Sequence, residues 1–119
     1  MAEIEKIGNV FYKVTDMNDG VDFYQRVLGL QLKFRDGDNW AAFDVAGVTL
    51  ALEPALGALS GNGGATVSLR VKDLDGLAGE LRGRGAKLGD ITMGGHERKL
   101  DITDPSGNHV LLYEPFPHP

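Results

Sequence analysis

Two short segments of the chain, residues 9–14 and 66–71, alternate between a regular apolar side and a mixed side. This period of two is typical of a β-strand with one buried face. The apolar side consists of Val10, Tyr12, Val14, Val67, Leu69 and Val71. The mixed side consists of Asn9, Phe11, Lys13, Thr66, Ser68 and Arg70. We expect the apolar side to lie beneath a helix and the mixed side to face away from it.

A helical pattern follows each of these strands, introduced by V-T-D-M at residues 14–17 and by V-K-D-L at residues 71–74. Asp16 and Asp73 are predicted N-caps, because a short carboxylate can accept hydrogen bonds from the first N–H groups of a helix. The apolar residues at helical spacing are Met17, Val21, Tyr24, Leu28, Leu74, Leu77, Ala78 and Leu81. Gly29 and Gly85 are predicted to end the two helices in the left-handed conformation. The recurrence of both boundaries indicates two copies of one supersecondary unit.

Three strand-like runs follow each predicted helix, separated by turns that contain Gly, Asp or Asn. They cover residues 31–36, 39–46, 48–53, 87–92, 96–103 and 108–114. The pattern therefore predicts an α+β fold of two βαβββ modules that build one cup-shaped mixed β-sheet. Because 119 residues suffice for one shared core, we expect a single domain. Its predicted parts are module one at about 5–54, a linker at about 55–64, and module two at about 65–115.

The composition narrows the range of partners. A net charge of −5 repels phosphate backbones and anionic lipids, so neither nucleic acid nor a membrane is an expected partner. The first ten residues contain two glutamates and no long apolar run, which predicts no export signal. The absence of cysteine excludes disulfides, thiolate metal sites and a cysteine nucleophile, and is consistent with a cytoplasmic protein.

Two motifs carry a resemblance to a known family. The run V-x-D-x-x-x-G-V-D-F-Y-x-x-V-L-G-L covers residues 14–30, and D-P-S-G-N covers residues 104–108. Together they resemble the vicinal oxygen chelate (VOC) superfamily, which includes glyoxalase, bleomycin-resistance and extradiol-dioxygenase proteins. This resemblance implies the glyoxalase/bleomycin resistance fold over nearly the whole chain.

The resemblance also implies where a metal would bind. Metal-dependent relatives use His, Gln or Glu from the first and last strand of each module, and these four positions correspond to Asn9, Ala51, Thr66 and Leu111. Two of these side chains are hydrocarbons without a lone pair, and the other two offer only neutral oxygens. We therefore expect no metal and no other cofactor.

Nearby carboxylates do not complete the set of metal ligands. Glu53 lies one pleat beyond Ala51 on the same face, so a two-residue slip would restore one carboxylate. Alternation places Glu114 on the helix side, unless it caps the end of its strand.

The mixed faces of the strands project other side chains toward the predicted cup. An apolar set could stack on a planar ligand; it consists of Phe11, Trp40, Ala42, Ala51, Leu111 and Tyr113. Lys13 and Arg70 occupy equivalent places and could bind an anionic ligand. Alternatively, they are neutralised by carboxylates on neighbouring strands, namely Glu53, Glu97 or Asp101.

His109 belongs to the side of Leu111 and Tyr113 and could act as an acid, base or ligand. Local spacing places no carboxylate or nucleophile beside it, and a role at the rim or in a turn is the alternative. The predicted ligand-binding residues are thus Phe11, Lys13, Trp40, Glu53, Arg70, Asp101, His109, Leu111 and Tyr113.

Three functions follow from these features. The leading hypothesis is a metal-free homodimeric protein that sequesters an aromatic or extended small molecule such as an antibiotic, similar to the drug-binding members of the family. The second is an enzyme, either metal-free or a glyoxalase-, epimerase- or dioxygenase-like enzyme that binds a metal through Glu53 and His109. The third is a dimerising or regulatory module with an empty cup.

Overall fold

The computed structural model describes residues 8–55 and 66–117. The chain divides into two compact units, Met1–Ala58 and Leu59–Pro119. Most of the predicted linker at 55–64 and the first residues of module one lie outside the described residues. Each unit contains a four-stranded mixed sheet and a helix, which confirms the α+β fold class.

In the first unit, the strand order is β1-β4-β3-β2. Strands β1 and β4 are parallel, and the other neighbours are antiparallel. Helix α1 continues directly into a π-helical segment, Phe23–Val27. The elements are β1 (Val10–Val14), α1 (Met17–Asp22), β2 (Gln31–Asp36), β3 (Trp40–Val45) and β4 (Val48–Pro54).

The second unit repeats this topology. Its strand order is β5-β8-β7-β6, with β5 and β8 parallel and the remaining neighbours antiparallel. The elements are β5 (Val67–Arg70), α2 (Leu74–Gly83), β6 (Thr92–Met93), β7 (Glu97–Thr103) and β8 (His109–Pro115). The crossover between parallel strands is what carries the helix to one side of each sheet.

The predicted helix boundaries are confirmed. The Asp16 carboxylate accepts a hydrogen bond from the Asp19 N–H at 2.9 Å, and the Asp73 carboxylate accepts one from the Gly76 N–H at 3.1 Å. Gly29 and Gly85 have φ of 75° and 88°, a region in which glycine carries no side-chain penalty. These local signals therefore place both helices correctly.

The face of each sheet beneath its helix is the buried one. In the first unit, the Tyr24 ring contacts Tyr12, Phe23 and Phe43 at centroid distances of 6.2, 5.1 and 5.9 Å. In the second unit, the buried apolar side chains are Leu74, Ala78, Leu81, Leu100, Ile102, Val110 and Leu112. The predicted apolar sides of the strands at Tyr12 and Val14 are buried accordingly. No helix in residues 8–55 or 66–117 is long and apolar enough to cross a membrane.

One predicted strand is largely wrong. Of residues 87–92, only Thr92 belongs to a strand, the two-residue β6, while Leu88 makes a single bridge to Ile102. Gly89 and Asp90 interrupt the run, and both residue types disfavour extended pairing. The edge of the second sheet is consequently much shorter than the corresponding edge of the first.

Candidate functional site

The face of each sheet that points away from its helix carries the predicted site residues; we call it the open face. In the first unit, Phe11 and Lys13 on β1 are exposed, while their neighbours Tyr12 and Val14 are buried. Trp40 alternates with Ala41 and Phe43 in the same way on β3. The strand alternation therefore assigned these side chains to the correct face.

Strand register arranges the open face of the first unit into a row. Phe11 pairs with Ala51, Ala51 with Ala42, and Ala42 with Phe34. The two phenylalanines are 47% and 56% exposed, whereas both alanines are buried. The Trp40 ring contacts Phe11 with centroids 5.9 Å apart and planes tilted by 54°. We call this arrangement, small side chains between three aromatic rings, the aromatic trough.

Phe34 was missed by the sequence pattern. Simple alternation with Leu32 places both residues on the helix side, but the register shifts between them, so that Leu32 pairs with Phe43 and Phe34 with Ala42. A β-bulge inserts one residue into a strand and reverses the facing of every residue beyond it. Residues 31–36 contain no sequence pattern that predicts the bulge, because the bulge depends on how β2 pairs with β3.

Lys13 and Glu53 are neighbours on the open face of the first unit. They are paired in register on β1 and β4, and the Lys13 Nζ lies 3.8 Å from a Glu53 carboxylate oxygen. Both side chains are substantially exposed, so the pair contributes little to stability. Glu53 is thus the carboxylate beside Lys13 among the three that the sequence offered.

The open face of the second unit carries the remaining predicted residues. Arg70 pairs in register with Tyr113, and Tyr113 with Lys99. No carboxylate among the described residues forms an ion pair with Arg70, which is exposed. A cavity of about 400 Å³ opens on the same face, within the range of small-molecule sites. It is lined by Ser68, His96, Glu97, Leu111, Tyr113 and Pro115.

His109 has a carboxylate partner that local spacing along the chain did not reveal. Its Nδ1 lies 3.0 Å from a carboxylate oxygen of Asp101. The antiparallel pairing of β7 and β8 brings them together, since Asp101 pairs with Leu111 and Thr103 with His109. Spacing along the chain could not reveal this diagonal contact. The contact orients the imidazole ring of His109 on the open face.

Glu114 lies on the helix side, as alternation predicted. Its carboxylate accepts a hydrogen bond from the Leu74 N–H at 2.8 Å, at the start of α2. A second oxygen lies 3.8 Å from an Arg98 guanidinium nitrogen. Glu114 therefore stabilises the helix start and does not supply a ligand to the open face.

The positions that bear metal ligands in metal-dependent relatives do not fit a metal in this chain. Ala51 is buried hydrocarbon within the trough, and Leu111 is an apolar wall of the cavity. Asn9 and Thr66 are exposed and offer only neutral oxygens. Across residues 8–55 and 66–117, no group of three or more His, Asp or Glu side chains is arranged to hold a metal ion. A divalent cation at these positions would have no charged ligand.

The family can now be stated. A model of the glyoxalase-like domain matches residues 9–113. The chain belongs to the glyoxalase-like domain family. The resemblance to the VOC superfamily noted from residues 14–30 and 104–108 is thereby confirmed.

Individual relatives of this glyoxalase-like protein fall into different functional classes. A protein of Mycolicibacterium smegmatis (strain ATCC 700084 / mc(2)155), described as uncharacterized, is 34% identical over 112 residues, covering 90% of this chain and 91% of its own length. Lactoylglutathione lyase from Agrobacterium tumefaciens has a similar structure, with a TM-score of 0.77 and 16% identity over 94% of this chain and 95% of that one.

TnmS3, an antibiotic binding protein from Streptomyces sp. CB03234, has a TM-score of 0.76 and 22% identity over 98% of this chain and 100% of its own. At such identities the likeness confirms the glyoxalase/bleomycin resistance fold. Because one of these structures is an enzyme and the other a binding protein, the fold does not choose between these functions.

Proposed function

We propose that this glyoxalase-like protein binds a planar, aromatic small molecule without a metal, and that sequestration of this ligand is its function. The observation that carries the proposal is the contact between the exposed Phe11 and the half-buried Trp40 on the open face of the first unit, directly beside Ala51. At the position where metal-dependent relatives place a charged ligand, this chain has a methyl group bordered by aromatic rings.

The energetics favour a ligand on this surface. Phe11 is 47% exposed, and covering an apolar surface of this kind gains about 25 cal/mol for each Å² removed from water. Stacking of a planar ring system on an aromatic side chain adds about 0.5–1.5 kcal/mol per contact. A planar ligand that lies across the trough can therefore cover the exposed parts of Phe11 and Phe34 together.

The second unit supports small-molecule binding independently. Its cavity of about 400 Å³ combines the apolar walls Leu111 and Tyr113 with the polar groups of Ser68 and Glu97. An apolar lining with a few polar groups is typical of small-molecule sites. We propose that Arg70, Asp101 and His109 orient polar groups of a ligand bound in this cavity, since they lie on the same open face of the second unit.

Trp40 provides the first test, because it is the only tryptophan in the chain. Titration with acridone, a neutral planar three-ring compound, is expected to quench or shift its emission with saturation. A Phe11→Ala variant is expected to bind about 2–10 times more weakly, from the loss of one ring contact. Val48→Ala is the matched control, because Val48 is also an exposed apolar residue, at the start of β4 and remote in register from the trough.

Two results would overturn the proposal. One is unchanged Trp40 emission across a panel of planar compounds, which would leave the trough without a ligand. The other is a transition metal found at one equivalent per chain by elemental analysis after purification without chelators. Loss of that metal in Glu53→Ala or His109→Ala variants would assign it to these side chains and favour the alternative of a metal-dependent enzyme.

We further propose that the protein is a cytoplasmic homodimer. The basis is the lack of cysteine and the resemblance to drug-binding family members, whose pockets commonly form where two protomers meet. Light scattering coupled to size-exclusion chromatography gives the mass directly. A mass near the 12.8 kDa of one chain at micromolar concentration would contradict the dimer.

A further inference from the structure

A carboxylate lies at one end of the aromatic trough. Asp36 at the end of β2 pairs in register with Trp40 at the start of β3. Residues directly opposite each other on antiparallel strands project to the same face, with Cβ atoms about 4.5–5.5 Å apart. Since Trp40 is on the open face, Asp36 projects from that face too, next to Trp40 in register.

The cationic side chains near Asp36 are engaged elsewhere. Lys33 hydrogen-bonds to the Thr49 hydroxyl. Arg35 projects to the other face, where it donates to the Asn18 side chain at 2.7 Å and to the Gly37 carbonyl at 2.9 Å. Lys13 lies beside Glu53. Within residues 8–55 and 66–117, Asp36 therefore forms no ion pair.

We propose that the aromatic trough selects planar cations. This inference rests on the proposed function and names the charge of its ligand. The row from Phe11 to Phe34 crosses four adjacent strands, a span of about 14 Å at the usual strand spacing, which accommodates a fused three-ring system. A positive charge on that ring system is attracted by the Asp36 carboxylate and by the electron-rich face of Trp40.

The same arrangement discriminates against anions. A planar anion of equal size gains the ring contacts but meets the uncompensated Asp36 charge. Lys13 attracts such an anion only weakly, because the adjacent Glu53 carboxylate offsets much of the electrostatic field of Lys13. Asp36 is exposed, so the preference is modest and depends on salt.

Three planar probes separate charge from shape: proflavine, which is cationic at neutral pH, acridone, which is neutral, and anthraquinone-2-sulfonate, which is anionic. Isothermal titration calorimetry on the full chain gives each affinity. Proflavine is expected to bind about 2–5 times more tightly than acridone, and the sulfonate more weakly than either. Raising the salt concentration from about 0.05 to 0.5 M is expected to remove most of the proflavine advantage.

Asp36→Asn tests the assignment to one residue, because it removes the charge and keeps the shape. Proflavine affinity is expected to fall about 2–5 times to the level of acridone, whose own affinity stays unchanged. Asp38→Asn is the matched control, since it removes an equal charge two residues away, from a carboxylate that lies 3.4 Å from Arg35. This variant is expected to keep the preference for the cation.

The outcomes distinguish this inference from the function on which it rests. If acridone binds and proflavine binds no better, or if both aspartate variants reduce proflavine affinity equally, charge selection by Asp36 is wrong while ligand binding stands. If none of the three probes binds, the proposed function itself fails.

Discussion

The contact between Glu114 and the start of α2 gives a sharp prediction about stability. One carboxylate oxygen accepts the Leu74 N–H at 2.8 Å, and Leu74 itself is fully buried. Glu114→Ala leaves that N–H without its partner in a partly buried environment. Loss of a hydrogen bond to a charged group costs about 1.5–3 kcal/mol, and loss of the 3.8 Å ion pair with Arg98 adds about 0–1 kcal/mol.

We therefore expect Glu114→Ala to lower the free energy of unfolding by about 2–3 kcal/mol. For a chain of this size, this corresponds to a decrease in Tm of about 8–12 °C. Glu114→Gln keeps an acceptor oxygen but loses the charge, so its free energy of unfolding is expected to lie between those of the wild type and Glu114→Ala. Urea unfolding monitored by circular dichroism at neutral pH provides the measurement.

Glu80→Ala is the matched control for this prediction. Glu80 lies on the same helix and approaches Arg84 at 3.4 Å one turn later, an exposed pair whose removal costs about 0.2–0.5 kcal/mol. If Glu114→Ala unfolds at the same urea concentration as Glu80→Ala, Glu114 does not stabilise the helix start and the reasoning is refuted.

Two further predictions concern the second unit. Gly107 has a φ of 88°, so Gly107→Ala is expected to lower the free energy of unfolding by about 1–2 kcal/mol. Gly95 has an ordinary φ and equally open space around it, so Gly95→Ala is expected to change stability by less than about 0.5 kcal/mol. Equal urea midpoints for the two variants would contradict this prediction. The hydrogen-bonded Arg98 guanidinium holds the pKa of Asp75 below its ordinary 3.8, so this contribution is present above pH 3.8 and is lost as the pH falls through the lowered pKa. Asp75→Asn is expected to be less stable than the wild type at neutral pH and equally stable in strong acid, and an NMR titration that places the native Asp75 pKa at or above 3.8 would sink this prediction.

Local sequence patterns were sufficient to predict the repeat, the helix boundaries and the facing of most strands. These features depend on local physics: a carboxylate at Asp16 or Asp73 reaches N–H groups three residues away, and alternation at Val10 to Val14 follows from the pleat of a single strand. The lack of suitable metal ligands at Ala51 and Leu111 was also readable, because hydrocarbon side chains cannot donate a lone pair in any fold.

Contacts between side chains on different strands became known only from the folded structure. Three contacts depend on the register between strands. They are the position of Phe34 in the trough beyond the bulge, the Asp101 carboxylate beside His109, and the pairing of Asp36 with Trp40. Register is set by turns, bulges and packing of the whole sheet, so no window of sequence contains it. The structure thereby adds the Phe34 ring and the Asp36 carboxylate to the predicted aromatic face, and it places Glu53 beside Lys13.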